Sequence, residues 1–90
     1  MRLTPTGAFL RNLKKLSKPD ASDVIDAIER CHQNPKDKSL NFEAVKNRRP
    51  YFTIRANYSV RVLLRKVDDD AFEIVAVGSH DFVYASYFRK

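Results

Sequence analysis

The spacing of apolar residues changes once along this chain, at Tyr51, and no other feature limits its folds as much. Before that point the apolar positions recur at helical intervals; after it they alternate. Phe9, Leu13 and Leu16 fall at i, i+4 and i+7, with Arg11, Lys14, Lys15 and Lys18 on the other faces, which predicts an amphipathic helix. Thr4-Pro5-Thr6 supplies its start signal, because Thr can cap free N–H groups and Pro suits a first turn. A short strand over Arg2–Thr4 precedes it. Lys18-Pro19-Asp20 breaks the chain, and Ala21, Val24, Ile25, Ile28 and His32 then mark a second helix. Its acids (Asp20, Asp23, Asp26) lie towards the N-terminal end and Arg30 and His32 towards the C-terminal end, which complements the helix dipole. Asn34-Pro35 ends it. Two helices joined by a tight Pro turn predict an antiparallel hairpin. Residues 36–50 are polar, anchored by Leu40, Phe42 and Val45 and carrying the basic run Lys46-Asn47-Arg48-Arg49; they read as a surface loop with one helical turn at most.

Beyond Tyr51, the runs Tyr51–Ala56, Val60–Val67 and Ala71–Val77 are rich in β-branched and aromatic residues. Asn57-Tyr58-Ser59 and Asp68-Asp69-Asp70 separate them as hairpin turns. The expected fold class is α+β: one domain over residues 1–90, with the α-hairpin packed on one face of a small antiparallel sheet. That sheet is a three-stranded meander to which the short N-terminal strand can add. Setting Ala56 opposite Val60 places Arg55 against Arg61, Ile54 against Val62, Phe52 against Leu64 and Tyr51 against Arg65. Setting Val67 opposite Ala71 places Arg65 against Glu73, Leu64 against Ile74, Val62 against Ala76 and Arg61 against Val77. One face then carries Phe52, Ile54, Ala56, Val60, Val62, Leu64, Phe72, Ile74 and Ala76, none of them charged, and must bury against the helices. The other carries Tyr51, Thr53, Arg55, Arg61, Leu63, Arg65, Glu73, Val75 and Val77, and is expected to face solvent.

On that second face, Arg65 opposite Glu73 is an ordinary cross-strand ion pair. Arg55 opposite Arg61 is not ordinary, since like charges across a ladder repel. Two guanidinium forks aimed at one spot suit a phosphate, which accepts paired, charge-assisted hydrogen bonds from each. The plainer alternative is that long Arg stems splay into water. His80 and Tyr84 follow the last strand in Gly78-Ser79-His80-Asp81-Phe82-Val83-Tyr84 and are expected near the arginines, with Asp81 placed to charge His80. Lys46, Arg48 and Arg49, with Lys14, Lys15 and Lys18, add sequence-independent attraction to nucleic acid, or simply form solvated faces. Tyr58 and Tyr87 can stack on bases or pack on the sheet rim. Glu43 reads as a solvated carboxylate before it reads as a base, His32 as the edge of the core, and Cys31 as a packing residue.

Composition narrows the function classes. Ninety residues with 17 Lys and Arg against 11 Asp and Glu give a net charge of +6, which fits an anionic partner. No apolar stretch approaches the roughly 20 residues of a membrane span, and the N-terminus lacks the apolar core of a secretory signal. One cysteine and two separated histidines give no disulfide and no evident metal set, so a cytoplasmic protein without metal or other cofactor is expected.

The order of helix hairpin, polar loop, meander and short C-terminal segment resembles the RelE/ParE superfamily of toxin–antitoxin toxins. The residues carrying the resemblance are Phe9-Leu10-Arg11-Asn12-Leu13-Lys14-Lys15-Leu16, Tyr51-Phe52-Thr53-Ile54-Arg55, Val60-Arg61-Val62-Leu63 and, above all, Val77-Gly78-Ser79-His80-Asp81-Phe82-Val83-Tyr84. The resemblance implies a toxin that cuts mRNA, typically on the ribosome, and is held inactive by a cognate antitoxin. Such cleavage uses the ribose 2′-OH as nucleophile and so implies no metal. Carried onto this sequence, Arg61 and Arg55 become phosphate clamps, His80 the general base or acid, and Tyr84 a stacking or proton-positioning residue; Arg65 contributes charge. The sequence departs from many members in having Val62, Leu63 and Leu64, rather than a Tyr, after Arg61. Glu43 and Lys46 are the only counterparts of the loop carboxylate or lysines that some members use. The ParE branch implies an alternative, a gyrase-binding toxin without nuclease activity; an inactive solitary domain and a plain RNA-binding module complete the set.

Overall fold

The computed structural model describes residues 1–89. Along the chain run β1 (Arg2–Pro5), α1 (Gly7–Lys14), α2 (Lys18–Gln33), a 3-10 turn (Lys38–Leu40), β2 (Glu43–Ala44), β3 (Tyr51–Arg55), β4 (Val60–Asp68), β5 (Ala71–Ser79), α3 (His80–Tyr84) and a second 3-10 turn (Ser86–Phe88). The α+β class is as expected, and the sheet is larger than the meander, with strand order β1-β5-β4-β3-β2. Two corrections follow. β1 pairs parallel to β5, so the sheet is mixed rather than antiparallel. The polar loop contains β2, which pairs with β3 through Glu43–Thr53 and Ala44–Phe52; two residues are too few to show an alternating pattern.

α1 and α2 both start on side-chain caps. Thr6 Oγ1 accepts from Phe9 N at 3.3 Å and donates to the Ile74 carbonyl at 2.8 Å, fixing the start of α1 to β5. Ser17 Oγ accepts from Asp20 N at the start of α2. α1 lies against β5, while α2 lies against β4 and β1. Phe9, Val24, Ala27 and Cys31 from the helices close over Ile54, Val62, Leu64, Phe72 and Ile74, the face read as apolar. Phe42, Phe52 and Phe72 meet with ring centroids 5.4 to 5.7 Å apart and continue that core beyond the helices.

The β3–β4 register is the expected one, from Tyr51–Arg65 through Arg55–Arg61. The β4–β5 register is expected only in part. Arg65–Glu73 and Leu64–Ile74 hold, but Leu63 then faces Ala76, Val62 faces Val77 and Arg61 faces Gly78. A second shift puts Asp68, not Val67, opposite Ala71. Val75 is thus an extra residue on β5, and an extra residue inverts every side chain beyond it. The bulge falls where β1 ends. Pro5 is the last β1 partner, at Ile74, and the edge of β5 passes to α1, whose Asn12 Oδ1 accepts from Val77 N at 3.5 Å. As a result Val77 joins the helix-covered core and Ala76 the opposite face, the reverse of a straight alternation.

That opposite face is not open to solvent along its length. Leu63, Val75 and Ala76 are buried there with Val45 and Val83, under Tyr51, Phe82, Tyr84, Tyr87 and Phe88. The segment after β5 therefore folds back as a cover. Tyr51 meets Phe88 at 4.9 Å and Tyr87 at 6.0 Å between centroids. No helix among the described residues is long and apolar enough to cross a membrane.

Candidate active site

Beside this cover, the sheet and α3 bring a small polar group together. Ser79 Oγ accepts from Phe82 N at 3.1 Å and starts α3 directly at the end of β5. Gly78 permits the tight turn inward, because a Cβ there would lie 2.7 Å from Phe82 Cδ2. On α3, His80 and Tyr84 are four residues apart and share a face; their rings lie 4.3 Å apart, tilted by 32°. His80 Nδ1 is 3.8 Å from Asp81 Oδ1, and both side chains are exposed.

The Tyr84 hydroxyl is held from two sides. It donates to Glu43 Oε1 at 2.9 Å, and Thr53 Oγ1 lies 2.7 Å away. A phenol has one hydrogen, so with that hydrogen on Glu43 the threonine donates and the relay runs Thr53 to Tyr84 to Glu43. Glu43 and Thr53 are directly opposite on β2 and β3, which is how two side chains reach one phenol. Thr53 is the one buried polar residue among those described, at 1% exposure. Burial raises the Tyr84 pKa above its ordinary 10.0, with the Glu43 hydrogen bond and charge acting in the same direction; Thr53 and Arg61 oppose it. The phenol therefore keeps its proton and remains a donor at neutral pH.

Arg61 is near enough for its charge to act on Tyr84. Its Nη1 donates to the carbonyls of Asn57 (2.8 Å), Tyr58 (3.2 Å) and Val60 (3.3 Å), so the guanidinium is braced against the β3–β4 turn. Arg55, its cross-strand partner, is exposed, and its side chain makes no hydrogen bond or ion pair among the described residues. The register of the arginine pair is thus as expected, while the two side chains stand in different circumstances, one braced and one free. Arg65 Nη1 is 3.3 Å from Glu73 Oε1 in a half-exposed pair. Lys46, Arg48 and Arg49 lie exposed in the turn after β2, and Arg48 sits 5.0 Å over the Phe88 ring.

The remaining candidates are engaged elsewhere. His32 Nδ1 is 2.7 Å from the Met1 carbonyl and ties α2 to the N-terminus. Cys31 is fully buried, and burial pushes its thiol up to about 11. Among the described residues no three His, Cys, Asp or Glu side chains gather as a metal set. The meeting of Glu43 and Thr53 at the Tyr84 hydroxyl was not among the sequence-based expectations. The alternation on β3 does put Thr53 on the face of Arg55, but nothing local marks Glu43, which depends on a two-residue strand.

No family model and no curated protein matches the chain. Solved structures do. The RelB–RelE antitoxin–toxin complex from Methanococcus jannaschii contains a chain matching at TM-score 0.73 and 20% identity, over 94% of this chain and 98% of that one. YafQ from E. coli matches at TM-score 0.73 and 14% identity, over 98% and 99%. A YoeB/ParE toxin from Agrobacterium tumefaciens matches at TM-score 0.68 and 16% identity, over 89% and 99%. The chain has the fold of the RelE/ParE toxins, as the resemblance implied.

Proposed function

We propose that this chain is the toxin of a toxin–antitoxin pair, a metal-independent endoribonuclease that cleaves mRNA in the cytoplasm, on the ribosome, and is neutralised by a cognate antitoxin. The observation that carries the reading is the Glu43–Tyr84 contact, with His80 stacked on the same phenol and Arg61 near enough for its charge to act on it. Two groups able to move protons meet one phenol, and the charge of a braced cation acts on it. That is the arrangement a 2′-OH attack on a phosphodiester needs.

In this reading Glu43 takes the proton of the ribose 2′-OH, whose oxygen attacks the adjacent phosphorus. The 5′-oxygen leaves with a proton from His80, giving a 2′,3′-cyclic phosphate and a 5′-hydroxyl end. Arg61 stabilises the charge that builds on the phosphoryl oxygens, and its brace on the turn means little reorganisation is needed to do so. Tyr84 holds Glu43 in place and gives His80 a surface to lie on. Each proton transfer contributes typically 10²–10⁴-fold, and alignment of the 2′-OH adds to this without a metal-bound nucleophile. Arg55, free of protein partners, and the Lys46, Arg48 and Arg49 turn hold the RNA strand; Arg65 contributes only so far as Glu73 leaves its charge unscreened.

The test is to incubate the protein with ribosomes and mRNA and to map new 5′-hydroxyl ends. The expected result is cleavage that Arg61→Ala and His80→Ala abolish. Growth arrest that survives both substitutions while RNA stays uncut would overturn the nuclease and leave the gyrase-binding reading.

A further inference from the structure

The β3–β4 turn that braces Arg61 also presents the most exposed large ring of the chain. Tyr58 is 86% exposed, and its side chain has no hydrogen-bond or ring partner among the described residues. The other tyrosines differ: Tyr51 and Tyr87 pack against each other and Phe88, and Tyr84 lies under His80. An isolated exposed aromatic residue would need no explanation on a mobile loop. This one stands on a fixed backbone. Asn57 Oδ1 accepts from Ser59 N and Val60 N, both at 2.9 Å, closing the turn. Asn57 Nδ2 donates to Asp20 Oδ1 at 2.9 Å and Asp23 Oδ2 at 3.0 Å, tying the turn to α2. The Tyr58 carbonyl itself accepts from Arg61 at 3.2 Å.

Arg61 gives only Nη1 to the turn, so Nε and Nη2 remain for a ligand among the described residues. Because Arg61 Nη1 reaches the Tyr58 carbonyl, a phosphate on the same guanidinium lies beside the turn that carries the ring. Phosphate contacts position a strand but read nothing of the base, whereas an aromatic face takes up an unstacked base. We infer that Tyr58 is a stacking subsite for the nucleobase of single-stranded RNA adjoining the phosphate on Arg61, pre-set by Asn57 and its two α2 carboxylates. This rests on the RNA reading of the site, and it adds a base-recognition element remote from α3.

The test separates binding from cutting. In a Glu43→Gln background, binding of a labelled single-stranded RNA of about ten nucleotides is measured for Tyr58, Tyr58→Phe and Tyr58→Ala. Loss of one stacking contact is expected to raise Kd roughly tenfold for Tyr58→Ala, while Tyr58→Phe stays near the parent. The chain has no Trp, so Tyr58→Trp supplies a single indole whose emission is expected to fall on RNA addition. Unchanged Kd for Tyr58→Ala, an indole blind to RNA, or an RNA that does not bind the parent at all overturns the subsite. So does a Tyr58→Ala variant whose only defect is weaker capture by an antitoxin, since the ring would then be a protein contact. The mapping of 5′-hydroxyl ends with the unsubstituted protein decides the nuclease reading independently. Weaker RNA binding by Tyr58→Ala without cleavage by the parent would leave the subsite and remove the nuclease.

Discussion

Tyr84 gives its phenolic hydrogen to Glu43 across 2.9 Å, although 41 positions separate the two residues in the chain. The contact joins the shortest strand of the sheet to the shortest α-helix. It turns a carboxylate that reads as a solvated loop residue into one with a fixed direction. Thr53, on the strand between them in space, completes the relay from a buried position.

Substituting Glu43 with Gln keeps an oxygen for Tyr84 and removes the carboxylate that the proposed mechanism uses as proton acceptor. RNA cleavage under single-turnover conditions is expected to fall by at least about 10²-fold. Affinity for RNA should change little, since no cation is lost. Cleavage at the parent rate would remove Glu43 from the mechanism.

Thr53→Val preserves shape and removes the hydroxyl beside Tyr84. The half-buried phenolic oxygen loses its donor, and stability is expected to drop by about 1 kcal/mol in urea denaturation. Cleavage should fall as well, because Tyr84 and Glu43 lose a shared restraint. A variant as stable as the parent would show that water replaces the threonine without cost.

Gly78→Ala introduces a Cβ 2.7 Å from the Phe82 ring, closer than such atoms approach. The ring must shift and carry α3 with it, at a cost of about 1–3 kcal/mol. His80 and Tyr84 ride on that helix, so cleavage should decline further than stability explains. Combining Gly78→Ala with Phe82→Leu is expected to restore part of both, which denaturation curves and cleavage rates measure together.

The bulge makes a sharp prediction at Val77. With straight alternation, aspartate at this position would face Arg61 and be tolerated. In the observed register Val77 is 3% exposed inside the helix-covered core, and Val77→Asp buries an unpaired carboxylate. That cost is comparable to the whole stability of a small domain, so the variant should lose its folded far-UV and near-UV signals. Val77→Ala should fold, with about 2 kcal/mol less stability.

Cys31 predicts a pH dependence. Burial raises its pKa from 9.0 to about 11, partly offset by the N-terminal ammonium. The folded chain therefore holds the thiol proton more tightly than the unfolded chain. Its contribution is complete below pH 9.0, where both states are protonated, and is lost as pH climbs towards 11, because unfolding then releases a proton. Urea midpoints measured from about pH 8 to about pH 11 should fall more steeply for the parent than for Cys31→Ala. Parallel curves would refute the linkage.

The amino-acid order determined the first two helices, the cap of α1, the β3–β4 register and most of the apolar face that the helices cover. Each depends on residues close in sequence or on a period sustained over several positions. The register placed Arg55 opposite Arg61, whereas the helix that stacks His80 on Tyr84 was not marked in the sequence, where five residues are too few to show a period. Tertiary structure alone decided the rest. The Val75 bulge arises where β1 gives way to α1 on the edge of β5, a meeting of segments about 70 positions apart that inverts Ala76 and Val77. β2 is two residues long and exists only because β3 offers it partners, yet it delivers Glu43 to Tyr84. The face read as open to solvent is roofed by aromatic residues of the C-terminal segment. Local periodicity records which side of a strand is apolar; it does not record an inserted residue, a partner supplied from elsewhere, or which distant segment comes back to cover a face.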